Sequence, residues 1–278
     1  MAASAKYQYK NLRVQVVSDG VAHVELHRPE RLNAINEALV EDIRVCFNDL
    51  GKDSSIRCII LSGSGRTFTA GLDFKDNFLL KEEPAVDVAR RAYHKRFHIE
   101  WFQSAMSALE KCPQPVIVAM HQGVYGVAVD LCTAGDIRYG TKDSFYTVKE
   151  VDMGLAPDVG TLQRLPKVIN SESLARELCF TGRLMYADEA YKCGLISRIF
   201  ENKEQMIEAA LETARIIASK SPVAVVSSKH LLNYSRDHSV DEGLQYTAVW
   251  NSAMLQTEDI PKSIEAFLKK KPASYSKL

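Results

Sequence analysis

Val116 to Gly160 reads VIVAMHQGVYGVAVDLCTAGDIRYGTKDSFYTVKEVDMGLAPDVG. The apolar run Val116 to Met120 has the length and β-branched character of a buried strand. Glycines at Gly123 and Gly126 break it, and residues 126–134 carry a helical apolar pattern. A strand over Ile137 to Tyr139 and a second over Phe145 to Val151 follow. Strand, glycine turn, helix and strand in this order predict an α/β fold. The same stretch places three acids among apolar neighbours: Asp130 in the helix, Glu150 on the second strand and Asp158 after the turn at Pro157. A carboxylate is costly to bury unless it is paired or used, so this is where chemistry is expected.

Upstream, Leu12 to Ser18 and Val21 to His27 alternate apolar and polar residues across Asp19-Gly20, a hairpin signal. Asn36 is placed to cap a helix over Glu37 to Asn48, with Leu39, Ile43 and Phe47 on one face. A strand at Ile56 to Leu61 ends in Ser62-Gly63-Ser64-Gly65. Thr69-Ala-Gly-Leu-Asp73 then makes a small-residue turn, and a long amphipathic helix spans residues 86–111.

Downstream, short helices are predicted over Thr161 to Ile169, Ser171 to Phe180 and Ala187 to Cys193, with a last strand over Leu195 to Phe200. From Lys203 the pattern is helical only: Met206 to Ala218, Val223 to Tyr234, Val240 to Met254 and Lys262 to Leu268. This divides the chain into an α/β core over residues 1–202, a helical region over 203–275 and the tripeptide Ser276-Lys277-Leu278.

With 46% hydrophobic residues in 278, the chain can bury a large core. Its 35 basic and 35 acidic residues cancel, so it carries no electrostatic footprint for nucleic acid. The six cysteines include no CxxC pair and the histidines no HExxH, so neither a metal site nor a disulfide framework is expected. Residues 1–10 contain no apolar signal-peptide segment, and no run of about 18 apolar residues suggests a membrane span. Ser276-Lys277-Leu278 matches a receptor-read peroxisomal address on a polar tail.

Each candidate group also has a plain structural reading. The turn at Thr69 to Asp73 and the segment Gly123 to Ala128 are ordinary glycine connections, or they present backbone N–H groups to an oxyanion. Asp130 is a buried acid bonded to backbone or arginine, Glu150 an edge-strand residue facing solvent, Asp158 a helix N-cap. Together, three acids and two N–H turns describe a site for proton transfer beside a thioester-like carbonyl.

Four segments, Arg28-Pro-Glu-Arg-Leu-Asn-Ala34, Phe68-Thr-Ala-Gly-Leu-Asp73, Pro115-Val-Ile-Val-Ala119 and Gly123 to Asp136, resemble the enoyl-CoA hydratase/isomerase (crotonase) family. Within it the chain is similar to the delta(3,5)-delta(2,4)-dienoyl-CoA isomerases, through Val148-Lys-Glu-Val-Asp152, Gly154 to Lys167, Ser219 to Val225 and Tyr234-Ser-Arg-Asp-His-Ser239. The resemblance implies the crotonase (ClpP-like) α/β spiral, short stacked sheets wrapped by helices, with a C-terminal helical trimerisation region and trimers paired into a homohexamer. It implies an acyl-CoA thioester substrate, bound against Ala70, Gly71, Leu72, Asp73, Phe74 and Val127; Arg28 and Arg31 either meet the CoA phosphates or are solvated surface arginines. The oxyanion hole is implied at the backbone N–H groups of Leu72 and Val127. No metal or separate cofactor is implied, because CoA is part of the substrate. One departure is that the family's consecutive glycines are replaced here by Gly126-Val127-Ala128.

Hydratases of the family carry glutamates at the positions of Asp130 and Glu150 and a small residue at that of Asp158. Dienoyl-CoA isomerases carry Asp, Glu and Asp, as here. The implied reaction converts a 3,5-dienoyl-CoA to the 2,4-dienoyl-CoA in fatty-acid β-oxidation, in the peroxisome. Glu150 removes the C2 proton, Asp158 delivers one at C6, and Asp130 tunes the pair. An enoyl-CoA hydratase is the nearest alternative, followed by a catalytically silent acyl-CoA-binding homologue. Covalent catalysis by Asp130 or Asp158 needs a histidine base, and only His121 is close in sequence.

Overall fold

The computed structural model describes residues 6–18, 20–76 and 86–278. Asp19 of the expected hairpin turn lies outside them. Among the described residues, two sheets organise the chain. The larger has six strands in the order β1 (Leu12–Ser18), β2 (Val21–Leu26), β3 (Cys58–Gly63), β4 (Val116–Met120), β6 (Ile137–Thr141) and β9 (Arg198–Phe200). Within this sheet β1 and β2 pair antiparallel and the other described pairings are parallel. The smaller sheet joins β5 (Gly123–Tyr125), β7 (Phe145–Thr147) and β8 (Met185–Tyr186).

The central strands β3 and β4 are buried throughout, which is why Cys58 to Leu61 and Val116 to Met120 read as unbroken apolar runs. Ile59, Leu61 and Val118 point to one side and share a core with α1 (Glu37–Lys52) and α2 (Val88–Lys111). Ile60, Ile117 and Ala119 point to the other and pack on α7 (Lys203–Ala218) through Met206, Ala210 and Ala214. Thus α7, beyond the boundary expected at residue 202, lies on the sheet. The Asn36 side chain caps α1 by accepting from Leu39 N at 3.0 Å, as its position predicted.

Around the glycine segment, α3 (Val127–Thr133) is followed by α4 (Thr161–Val168), α5 (Glu172–Thr181) and α6 (Ala187–Lys192). Three helices complete the chain: α8 (Pro222–Ser235), α9 (Val240–Met254) and α10 (Asp259–Leu268). The strand expected over Phe145 to Val151 is corrected. It stops at Thr147, and Glu150–Met153 form a 3-10 turn closed by left-handed Gly154. The alternation misled because Val151 faces out, 39% exposed. β5 and β8, too short to show a period, were not anticipated.

Candidate active site

Two turns meet at the start of α3. The Thr69 to Asp73 turn is laid against β5 by Thr69 N, which donates to Gly123 O at 3.2 Å. Gly71 approaches so closely that a Cβ there would stand 2.8 Å from Tyr125 O. Leu72 is held on its other side, where Ile35 N donates to Gly71 O at 2.7 Å and Asp73 N to Ile35 O at 2.9 Å. Leu72 N faces away from that ladder, and Val127 N is the first amide of a helix, where no intrahelical acceptor exists. Among the described residues neither amide has a hydrogen-bond partner. The Val127 side chain is packed in the core, 2% exposed.

Asp130 is wholly buried on α3. One oxygen, Oδ1, accepts the Thr161 N–H at the start of α4; Oδ2 has no partner among the described residues. Burial, reinforced by the nearby Glu150 charge, pushes its carboxyl up to about 7. Glu150 is buried, which sets aside its plain reading as a solvent-facing residue, and its Oε2 is also unpartnered among the described residues. It leans over the glycine turn: a Cβ at Gly126, whose φ is +52°, would lie 3.0 Å from Glu150 Oε1. Burial raises the Glu150 pKa, and the Asp158 charge adds to it. Asp158 is the exposed member, raised by partial desolvation against the pull of Lys95 and His98. Asp130 thus senses Glu150, and Glu150 senses Asp158. The structure brings the three acids together beside the two free amides.

Asp158 is not an N-cap. That position belongs to Gly160, and it is the Asp130 side chain that accepts from the first α4 amide, Thr161 N. Asp158 is held through its carbonyl, which accepts from Gln103 Nε2 at 2.7 Å. His121, the nearest histidine in sequence, is buried against Gly65 O at 3.0 Å, among Lys203, Asp143 and Glu25. The histidine that approaches an acid of the site is His98, on α2 beside Asp158. Sequence adjacency hid it, because α2 reaches the site from far upstream. Gln103 was missed for the same reason, and the Thr161 amide because backbone groups leave no residue signature. Arg28, a candidate for the CoA phosphates, is committed to Asp73 at 3.0 Å and to Ala34 O, while Arg31 is exposed. Of the predicted substrate contacts, Ala70, Leu72 and Asp73 are half-buried, Gly71 is buried and Phe74 is exposed. Among the described residues no cluster of three His, Cys, Asp or Glu is placed to hold a metal, and no helix is long and apolar enough to cross a membrane.

Buried acids beside unengaged backbone donors can move protons next to a developing oxyanion. The family model for enoyl-CoA hydratase/isomerase matches residues 17–277. The chain belongs to this family. It is 50% identical over 276 residues to the rat protein named delta(3,5)-delta(2,4)-dienoyl-CoA isomerase, mitochondrial, covering 98% of this chain and 84% of that one. The Arabidopsis thaliana protein of the same name, peroxisomal, is 36% identical over 97% of this family member and 98% of its own length. Among solved structures, a putative enoyl-CoA hydratase from Streptomyces coelicolor superposes with a TM-score of 0.86 at 28% identity, covering 99% and 98% of the two chains. The crotonase fold expected from the sequence is the fold observed.

Proposed function

We propose that this protein is a delta(3,5)-delta(2,4)-dienoyl-CoA isomerase of fatty-acid β-oxidation. The observation that carries the reading is Asp158, a third acid placed at the exposed side of the Asp130–Glu150 pair. The names of the rat and Arabidopsis relatives point the same way.

In this reading the thioester oxygen lies between the Leu72 and Val127 amides, which stabilise the dienolate. Ionised Glu150 removes the C2 proton, and protonated Asp158 returns one at C6. No atoms are gained or lost, but the two acids finish with exchanged protonation states, so a proton must pass back between them before the next turnover. Neighbouring carboxylates resist ionising together. Burial and the Glu150 charge push Asp130 up to about 7, so Asp130 favours keeping a proton while Glu150 is ionised. CoA enters with the substrate, against Ala70 to Phe74, and the proton shuttle needs no separate cofactor or metal.

Exposed apolar side chains on α8 to α10, among them Leu232, Leu244, Val249 and Phe267, support a homohexamer built as a dimer of trimers. Exposed Ser276-Lys277-Leu278 supports recognition by a peroxisomal import receptor and a peroxisomal location.

The test follows conversion of 3,5-octadienoyl-CoA by the ultraviolet absorbance of the 2,4-dienoyl thioester, with crotonyl-CoA hydration in parallel and Asp158→Ala in both assays. Isomerisation that the substitution cuts at least about a hundredfold supports the reading. Strong hydration indifferent to Asp158, without isomerisation, overturns it.

A further inference from the structure

Two of the four runs that carry the resemblance to dienoyl-CoA isomerases, Gly154 to Lys167 and Tyr234 to Ser239, meet behind the active site. Arg164 of α4 is 8% exposed. It donates to Glu110 Oε2 through Nη2 at 2.7 Å and Nε at 3.0 Å, and to Ser107 Oγ at 2.8 Å. Arg236, just beyond α8, takes the other oxygen of Glu110. The outer end of the network pairs Lys167 with Asp237. These groups, with Gly160, line a cleft of about 320 Å³.

Arg164 also touches the turn that serves Asp130. Gly160 has φ +140°, and a Cβ there would fall 1.9 Å from Arg164 Nη1 and 3.8 Å from Asp130 Oδ1. The guanidinium therefore packs directly on the glycine backbone, and the next amide, Thr161 N, donates to Asp130. A planar, two-sided fork is suited to hold such a turn rigidly, because its hydrogen bonds fix orientation as well as position.

We propose that the Arg164–Glu110–Arg236 triad is a positioning device for Asp130: it fixes the Gly160–Thr161 turn so that the Thr161 N–H stays on Asp130 Oδ1. The device links the C-terminal helices to the proton-transfer site. Glu110 is its hub. Burial alone would raise its pKa, but the two guanidiniums outweigh that and hold the carboxyl below its ordinary range. The other groups facing Asp130 are Glu150 from the 3-10 turn, Cys132 on its own helix and Cys179 on α5. Both thiols are pushed up by burial and stay neutral, so Glu150 is the charge that competes with the Thr161 amide.

The kinetic arm of the test rests on the isomerase reading; the titration arm does not. In full-length protein, Glu110→Gln is compared with Glu110→Asp and Arg236→Gln. The readouts are kcat and KM on 3,5-octadienoyl-CoA and the titration of Asp130, followed by NMR of carbon-labelled aspartate and assigned with Asp130→Asn. Glu110→Gln is expected to lower kcat about tenfold with KM nearly unchanged. Loosening a hydrogen bond to the ionised form moves the Asp130 titration upward by about one unit. Glu110→Asp restores part of both. Arg236→Gln, at the more exposed end of the triad, moves both readouts the same way by less, and it carries the test if Glu110→Gln does not fold. Folded variants with unaltered kcat and an unmoved Asp130 titration overturn the proposal. Wild-type protein that fails to isomerise overturns the isomerase reading instead, and the titration alone then decides the role of the triad.

Discussion

Asp130 sets stability against function. Its folded pKa of about 7 lies well above the 3.8 of a free side chain. A raised carboxyl binds its proton more tightly in the folded state, so its favourable contribution is present below about 3.8 and is lost as pH rises to about 7. Above that, the fold carries a buried charge held by one amide. Asp130→Asn keeps an oxygen for Thr161 N and removes the charge. It is expected to be more stable than wild type at pH 7.5 by roughly 2 kcal/mol, with the gap closing toward pH 4, while turnover falls. Thermal melts of both proteins across that range check the sign; a gap that widens in acid contradicts the assignment.

At the scale of elements, the glycine turns separate space from strain. Gly126 and Gly154 both have positive φ, but an added Cβ meets Glu150 at the first and nothing within 4 Å at the second. Gly154→Ala is therefore expected to cost about 1 kcal/mol of stability and keep most activity, because only the backbone conformation is penalised. Gly126→Ala adds displacement of Glu150 and is expected to abolish most activity; urea titration and the dienoyl-CoA assay on both variants distinguish the two effects. The sequence showed the elements whose periods are long or whose caps are explicit. Val116 to Met120, the α3 segment and Asn36 before α1 were legible because burial and capping act within a few residues. Glu150 was misplaced because the alternation runs on to Val151, past Thr147 where the strand stops and into the 3-10 turn that Gly154 closes. Asp130, Glu150 and Asp158 were identifiable as acids in apolar company. Their supports, Gln103, His98 and Thr161 N, arrive through tertiary packing or from the main chain, and no local pattern encodes either.

For the whole molecule, one buried cation ties the C-terminal helices to the core. Lys229 of α8, with 5% side-chain exposure, reaches Asp136 Oδ2 at 2.7 Å. It also donates to Leu109 O at 2.9 Å and Gln114 O at 3.0 Å. Lys229→Met leaves Asp136 and two carbonyls short of a donor and is expected to cost about 3 kcal/mol, measured by urea unfolding. A loss below about 1 kcal/mol would mean that α8 is held by packing alone. The active site rests on a different footing. The two amides assigned to the oxyanion are main-chain groups, created by turn geometry and not by the side chains of Leu72 and Val127. Apart from proline, any replacement at either position keeps the N–H. That gives mutation almost no direct target on the donors, while the acids facing them are ordinary coding choices. A lineage carrying this scaffold can therefore retool which protons move, and between which carbons, without rebuilding the pair of amides proposed to hold the thioester oxygen.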